Sequence, residues 1–329
     1  MIYQNINFHN VEELIQTPKG YAMARIPKDI RLQVNEGIRN RTCFYSTGVE
    51  LRFKLLGEKA TIFLRTDKAQ EAQAAYIYYG SIQGGWENSS KTIFTEVTPI
   101  TISRPDNIAK LAEITMQNNL PFQPEVIRIV LPYGTCYFVG VEGDIEPPSP
   151  EDMPEKTYLA YGSSITHGSL ALAAPYTYPF RIAAKLKCDY LNLGFAGSAY
   201  LEKSIAEYLV SRKDWDFASV EMGINMIGEA FTIEFFEKQV KEFVEVLAED
   251  TRPIFATNIF GFNGIGQDKA EKFREIVRKH AEGRLIFTDG LELLNNPTYI
   301  SQDLTHPSLE GVEEIVKNWS VVMKSELRE

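Results

Sequence analysis

The sequence holds only four histidines, and one of them, His306, stands in the run DLTHPS three residues after Asp303. Pro307 keeps this stretch out of a helix, so it reads as a turn in which a carboxylate can reach the imidazole of its own loop. An aspartate so placed fixes the ring tautomer, stabilises the imidazolium and leaves the other ring nitrogen to take a proton from a hydroxyl. A hydroxyl for that partnership occurs in YGSSITHG, where Gly162 and Ser163 carry the chain through a tight turn and Ser164 begins the segment beyond. A serine activated in this way attacks an acyl carbon. Each residue also has a plainer reading: Ser164 as a helix N-cap, which serine favours, and His306 as a capping or packing residue near a helix start. His9, His167 and His280 have no carboxylate at comparable spacing in such a loop and are read as structural, although His167 is close to Ser164.

Acyl transfer also needs hydrogen-bond donors aimed at the developing oxyanion. Two further loops offer them: NLGFAGS, spanning Asn192–Ser198, and EMGINM, spanning Glu221–Met226. A glycine such as Gly197 permits close backbone approach, and an asparagine such as Asn225 brings a side-chain NH₂. Taken alone, each is equally a turn residue.

The elements that must position these loops follow from periodicity. From residue 158 onward, strand, loop and helix repeat, with strands expected at Tyr158–Tyr161, Tyr190–Leu193, Phe217–Met222, Ile254–Ile259 and Leu285–Thr288. Between Thr232 and Leu247, Phe236, Val240, Phe243, Val244 and Leu247 share one helix face, as do Leu309, Val312, Ile315, Val316, Trp319 and Met323 in the last segment. Alternation of this kind implies a parallel sheet covered on both faces, which binds ligands beyond the carboxyl ends of its strands. Before residue 143, short runs rich in β-branched and aromatic residues alternate with turns, as in GVELRFKLL, KATIFLRT and EVIRIVLP, and suggest an antiparallel β-sandwich. Between them lie Pro147, Pro148, Pro150 and Pro154 among acids, the composition of a stiff, extended linker. The expected division is a sandwich over 1–143, a linker over 144–157 and an α/β domain over 158–329. Tyr76 and Tyr78 are expected in the sandwich core, with Tyr79 and Trp86 as the residues that could stack on a sugar ring.

Taken together, the blocks GxS, NxGxxG, GxN and DxxHP, in that order, resemble the SGNH hydrolases, also called GDSL esterases and lipases. The resemblance covers about residues 157–325. It implies an α/β, flavodoxin-like, three-layer parallel-sheet domain, here behind an all-β, jelly-roll-like sandwich. It also implies Ser164 as nucleophile, Asp303 and His306 as its relay, and the amides of Ser164 and Gly197 with the Asn225 side chain as oxyanion donors. Ser163 stands where the family has aspartate before the nucleophile, and Met226 stands where many members have aspartate after the asparagine. These departures point to the GSSIT or GTSIT branch, whose members look like carbohydrate esterases, some with a preceding β-sandwich.

Composition narrows the partners. With 44 acidic against 34 basic residues, the formal charge is −10, and no basic stripe is visible, which speaks against nucleic acid. Cys43, Cys136 and Cys188 are scattered singly, without metal-ligand or disulfide spacing. Neither a signal peptide nor an apolar run of the ~18 residues a membrane span needs is present, so a cytoplasmic location is expected. The expected function is a serine esterase, without metal or organic cofactor, that removes a small acyl group, acetyl above all, from a sugar or similar small alcohol. Its alternatives are a lipase or thioesterase of longer chains and a carbohydrate-binding protein with a degenerate hydrolase domain. Self-association is left open.

Overall fold

Period-two alternation puts side chains on opposite faces of a strand, so a strand buried on one side must find a second layer. In the computed structural model, which describes residues 1–67 and 73–327, the first part of the chain solves this with one folded sheet. Its main strands are β1 (Ile6–His9), β2 (Gly20–Ala24), β3 (Glu50–Thr66), β4 (Gln73–Tyr79), β5 (Thr98–Ser103), β6 (Val126–Val130) and β7 (Cys136–Glu146), all paired antiparallel. The runs GVELRFKLL and KATIFLRT, expected as two strands, are joined in β3. Its first half pairs with β1 and β6 and its second half with β5 and β7, so one strand serves both layers. The layers enclose an apolar cluster of Leu51, Phe53, Ile62, Leu64, Ile77, Ile100, Ile129 and Phe138. Across it Phe8 meets Phe138 edge-on at 5.0 Å.

The second part is a five-stranded parallel sheet of β8 (Thr157–Gly162), β9 (Asp189–Gly194), β10 (Phe217–Glu221), β11 (Ile254–Thr257) and β12 (Ile286–Thr288), in the order β9-β8-β10-β11-β12. This is the doubly wound order of flavodoxin-like domains. Leu159 and Tyr161 face one helical layer while Tyr158 and Ala160 face the other. The helix over 233–247 is capped by the Thr232 side chain and buries Phe236, Val240, Phe243, Val244 and Leu247, the stripe read from its periodicity. The last helix, Leu309–Glu326, likewise buries Val312, Ile315, Val316, Trp319 and Met323. Among the described residues no helix is long and apolar enough to cross a membrane.

The boundary expected at residue 143 does not separate the two halves cleanly. Ile26, Val34, Ile38 and Cys43, around the short helix α1 (Glu36–Asn40), belong to the apolar cluster of the parallel-sheet domain. Strand β7 runs on to Glu146, and β8 already starts at Thr157, so the connection is 147–156. It is pinned to the sandwich, because Asp152 accepts from the Ser149 amide and pairs with Lys54 at 2.9 Å. Tyr76 and Tyr78 also depart from expectation. They pack against the second domain, Tyr78 lying 5.7 Å from Phe180, while Tyr79 sits in the sandwich core with its hydroxyl on the Ser103 carbonyl. The reason is that the outer face of this layer is covered by the second domain, so β4 is buried on both sides.

That covered face carries charge. Glu50, Arg52 and Arg128 alternate with Leu51, Phe53, Ile127 and Ile129, and all three charged side chains are buried. Arg52 donates to both oxygens of Asp189 in β9 (2.6 and 2.7 Å) and to Glu50 (2.8 Å), and Glu50 accepts twice from Arg128 (2.8 and 2.6 Å). Burial pushes the Glu50 carboxyl up, but the two guanidinium groups outweigh it and hold it down at about 2. Two anions and two cations thus close a neutral network across the interface.

Candidate active site

A buried turn needs its backbone groups satisfied, and the turn after β8 shows how this is done. Ser163 is the N-cap of the four-residue helix α2 (Ser164–His167), its hydroxyl accepting from the Ile165 amide at 3.1 Å. The capping role considered for Ser164 therefore falls to its neighbour. Ser164, at the first helical position, is 8% exposed, and its Oγ lies 2.8 Å from His306 Nε2. His306 Nδ1 lies 2.5 Å from Asp303 Oδ2, and since a carboxylate only accepts, Nδ1 carries the proton and Nε2 faces the serine. Asp303 is held by its other oxygen, which accepts from the amides of Thr305 and His306, both at 3.0 Å. Burial pushes its carboxyl up, but the His306 amide and ring outweigh this and hold it below the ordinary carboxylate range. The loop itself is anchored by Ser301 N–H on the His306 carbonyl, after which Ser308 caps the last helix.

The donor candidates converge on the same end of the sheet. The Phe195 amide donates to the Gly162 carbonyl at 2.8 Å, which ties the loop after β9 to the strand that carries the serine. Gly197 has φ +68°, a left-handed conformation that favours glycine, and its amide has no intramolecular acceptor among the described residues. The same is true of the Ser164 amide. Asn225 accepts from the Ala199 amide through Oδ1 at 3.1 Å, so its Nδ2 points away from that bond and makes no other among the described residues. Met226, next to it, is buried in the core.

Several residues that support the site carry no motif. Glu221, at the end of β10, is 1% exposed; its Oε2 accepts from the Ser163 amide (2.7 Å) and from the Thr166 hydroxyl (3.3 Å), while Oε1 has no partner. Burial raises its pKa against these hydrogen bonds. Gly162 is what admits it, since a Cβ there would come within 2.6 Å of Glu221 Oε2 and 2.1 Å of Thr166 Oγ1. Asn192 donates to the Thr166 carbonyl and accepts from the Gly194 amide, both at 2.8 Å. Arg25, reaching over from the first part of the chain, donates to the carbonyls of Asn192, Gly194 and Thr42. His167 is fully buried with Nδ1 2.9 Å from the Gly194 carbonyl oxygen, and burial pushes its pKa down to about 3, so it is a neutral strut. Isolated polar residues inside apolar runs, such as Arg25 in AMARIP and Glu221 in SVEMG, were the available sign of these roles. Among the described residues no three His, Cys, Asp or Glu side chains cluster as metal ligands would.

Residues 160–313 match the GDSL-like lipase/acylhydrolase family. The second domain belongs to that family. As a GDSL-like domain it is a serine hydrolase acting on carboxylic esters, and its match takes in the serine, glycine, asparagine and Asp–His loops described above. No curated protein matches the sequence. Similar solved structures extend the likeness of fold to the sandwich in front of the GDSL-like domain. A salicylyl-acyltransferase from a tetracycline biosynthetic pathway is 16% identical, with 98% of this chain and 95% of that chain covered and a TM-score of 0.76. A family two carbohydrate esterase from Clostridium thermocellum, in complex with cellohexaose, is 13% identical over 85% of this chain and 92% of that chain, with a TM-score of 0.58. An acetyl xylan esterase from the rumen bacterium Butyrivibrio proteoclasticus is 12% identical over 99% and 97%, with a TM-score of 0.59.

Proposed function

We propose that this protein removes a small acyl group, acetyl above all, from a carbohydrate or similar small alcohol. The observation that carries the reading is the continuous relay from Ser164 Oγ to His306 Nε2 (2.8 Å) and from His306 Nδ1 to Asp303 (2.5 Å). Ser164 Oγ bonds to the ester carbonyl carbon as its proton passes to His306 Nε2. The oxyanion is held by the amides of Ser164 and Gly197 and by Asn225 Nδ2. The bond to the alcohol oxygen then breaks, and His306 returns its proton to that oxygen. Water attacks the acyl-enzyme by the same sequence and releases the acid. Asp303 keeps the imidazole in the useful tautomer and stabilises its cation.

The small acyl group and the carbohydrate are supported by the branch that GSSIT resembles and by the fold shared with the carbohydrate esterase and the acetyl xylan esterase. A longer acyl chain has one observation in its favour, a cavity of about 440 Å³ beside the end of α2, lined by Leu170, Ala171, Leu172, Ala173 and Ala174. A panel of p-nitrophenyl esters from acetate to palmitate, run beside acetylated xylo-oligosaccharides, separates the two. The proposal expects kcat/KM highest for acetate with acetate release from the oligosaccharides, and a maximum at eight carbons or more would overturn it.

A further inference from the structure

A second cleft, of about 540 Å³, opens where residues 40–45 meet the sandwich. Its walls include Phe44, Tyr45, Tyr133 and Tyr137, and its charged side chains are Arg41 and Asp67. The rings are held in place from below: Tyr45 and Tyr133 lie 5.4 and 4.3 Å from the ring of His167, the buried strut on the Gly194 carbonyl, and 5.7 Å from each other. The Tyr133 hydroxyl is 2.7 Å from Ser169 Oγ. Such a wall is set before any ligand arrives, and aromatic faces of this kind accept the flat, apolar side of a sugar ring.

The two charges differ in their company. Asp67 is already engaged, by an ion pair with Lys19 and by the Tyr137 hydroxyl at 2.6 Å. Arg41 is exposed and makes no ion pair among the described residues; its one hydrogen bond is a long one, 3.5 Å, to the Ala196 carbonyl. That contact puts it against the oxyanion loop, where its Nη2 lies 3.9 Å from the position a Cβ would take on Gly197. In a chain of net charge −10, an uncompensated guanidinium therefore stands between an aromatic cleft and the donors that face the reacting carbonyl. A guanidinium presents a planar fork that matches a carboxylate with two parallel hydrogen bonds.

We propose that Arg41 is a specificity-determining residue that binds a carboxylate on the sugar ring seated in this cleft, so that the substrate is an acylated acidic sugar of the uronic acid class. The inference rests on the esterase reading above and narrows it. A bidentate charge-assisted pair at an exposed guanidinium is worth roughly a ten-fold preference, and because it sits at an open mouth it weakens as salt is added.

The test uses the full chain with an O-acetylated uronic acid oligosaccharide and the same sugar with each carboxylate converted to the neutral amide, and p-nitrophenyl acetate as a third substrate. Wild type should favour the charged sugar about ten-fold in kcat/KM, through KM, with the preference shrinking between 20 and 500 mM salt. Arg41→Gln should bring the two sugars to the same kcat/KM. Arg41→Lys, which keeps the charge and loses the fork, should fall between, and it serves as well if the glutamine variant does not fold. Hydrolysis of p-nitrophenyl acetate with equal treatment of the two sugars, or a ratio that survives Arg41→Gln, overturns this inference alone. A wild-type protein inert toward all three esters overturns the esterase reading and this one with it.

Discussion

Arg52→Met should destabilise the chain by about 3–5 kcal/mol, the usual cost of removing one partner from a buried ion pair. The figure follows from what each neighbour keeps. Glu50 retains two hydrogen bonds from Arg128, but Asp189 is left with its own neighbour's amide and with His9, whose ring is 3.5 Å away. Burial alone would push the Asp189 carboxyl up, and it is held low chiefly by Arg52, so without Arg52 a nearly dry carboxylate loses its main counter-charge. Asp189→Asn removes the stranded charge and keeps an acceptor for the Tyr190 amide. The double variant should therefore recover about half of the loss or more, a coupling of about 2 kcal/mol in a double-mutant cycle. The assay is equilibrium urea unfolding followed by tryptophan fluorescence, whose change comes from the buried Trp215 and Trp319 of the second domain because Trp86 is already exposed in the folded chain, and by far-ultraviolet circular dichroism. A single coincident transition is expected, because Ile26, Val34, Ile38 and Cys43 place the first part of the chain in the second domain's core. Strictly additive variants, or two transitions of which only the sandwich one moves, would refute the reasoning.

Asn225→Ala should lower kcat by on the order of 10²–10³ with KM little changed, the usual loss for one oxyanion donor; a change in KM alone would make Asn225 a substrate-binding residue. Glu221→Ala leaves the Ser163 amide buried without an acceptor and should cut kcat at least about ten-fold, whereas Glu221→Gln keeps an acceptor and should restore most of it. Equal losses in the two variants would contradict the positioning role. For pH, His167 has a folded pKa of about 3 against 6.5 for a free histidine. The unfolded chain therefore binds a proton that the folded chain refuses, and stability falls as pH drops below 6.5, by about 1.4 kcal/mol per unit from this group. Between pH 6.5 and 4.5, wild type should lose about 2 kcal/mol more than His167→Asn does, as measured by urea titrations at each pH; parallel losses would contradict it.

How much of this could be read from the residues depends on whether the deciding contact is local. Helix stripes such as Phe236, Val240, Phe243, Val244 and Leu247 report their own buried face, because the period of the backbone alone fixes which side chains share it. The Asp303–His306 contact is equally local, three residues within one turn. The partner of a face is not local. The alternation in GVELRFKLL shows that Glu50 and Arg52 share a side, and such a side ordinarily faces water; that it is dry depends on Asp189, 137 residues on. The same reason explains Tyr76 and Tyr78, whose face is covered by Phe180 and its neighbours, and the segment around Ile26 and Ile38, which lies in the sandwich half of the sequence and in the other half's core. Glu221 hid for a related reason. Where Ser163 replaces the aspartate common before the nucleophile, a carboxylate arrives from β10 to take the Ser163 amide, and only the tertiary fold brings the two together.

In the proposed mechanism Ser164 is the nucleophile, activated by His306 and Asp303. The most direct measurement is labelling of the folded full chain with a fluorophosphonate, the modified peptide being located by mass spectrometry while hydrolysis of p-nitrophenyl acetate is followed in parallel. One label per chain on Ser164, loss of hydrolysis in step with labelling, and no labelling of Ser164→Ala are expected, with Ser163→Ala still labelled. A label on another residue, or Ser164→Ala retaining more than roughly a few per cent of wild-type turnover, would contradict the account.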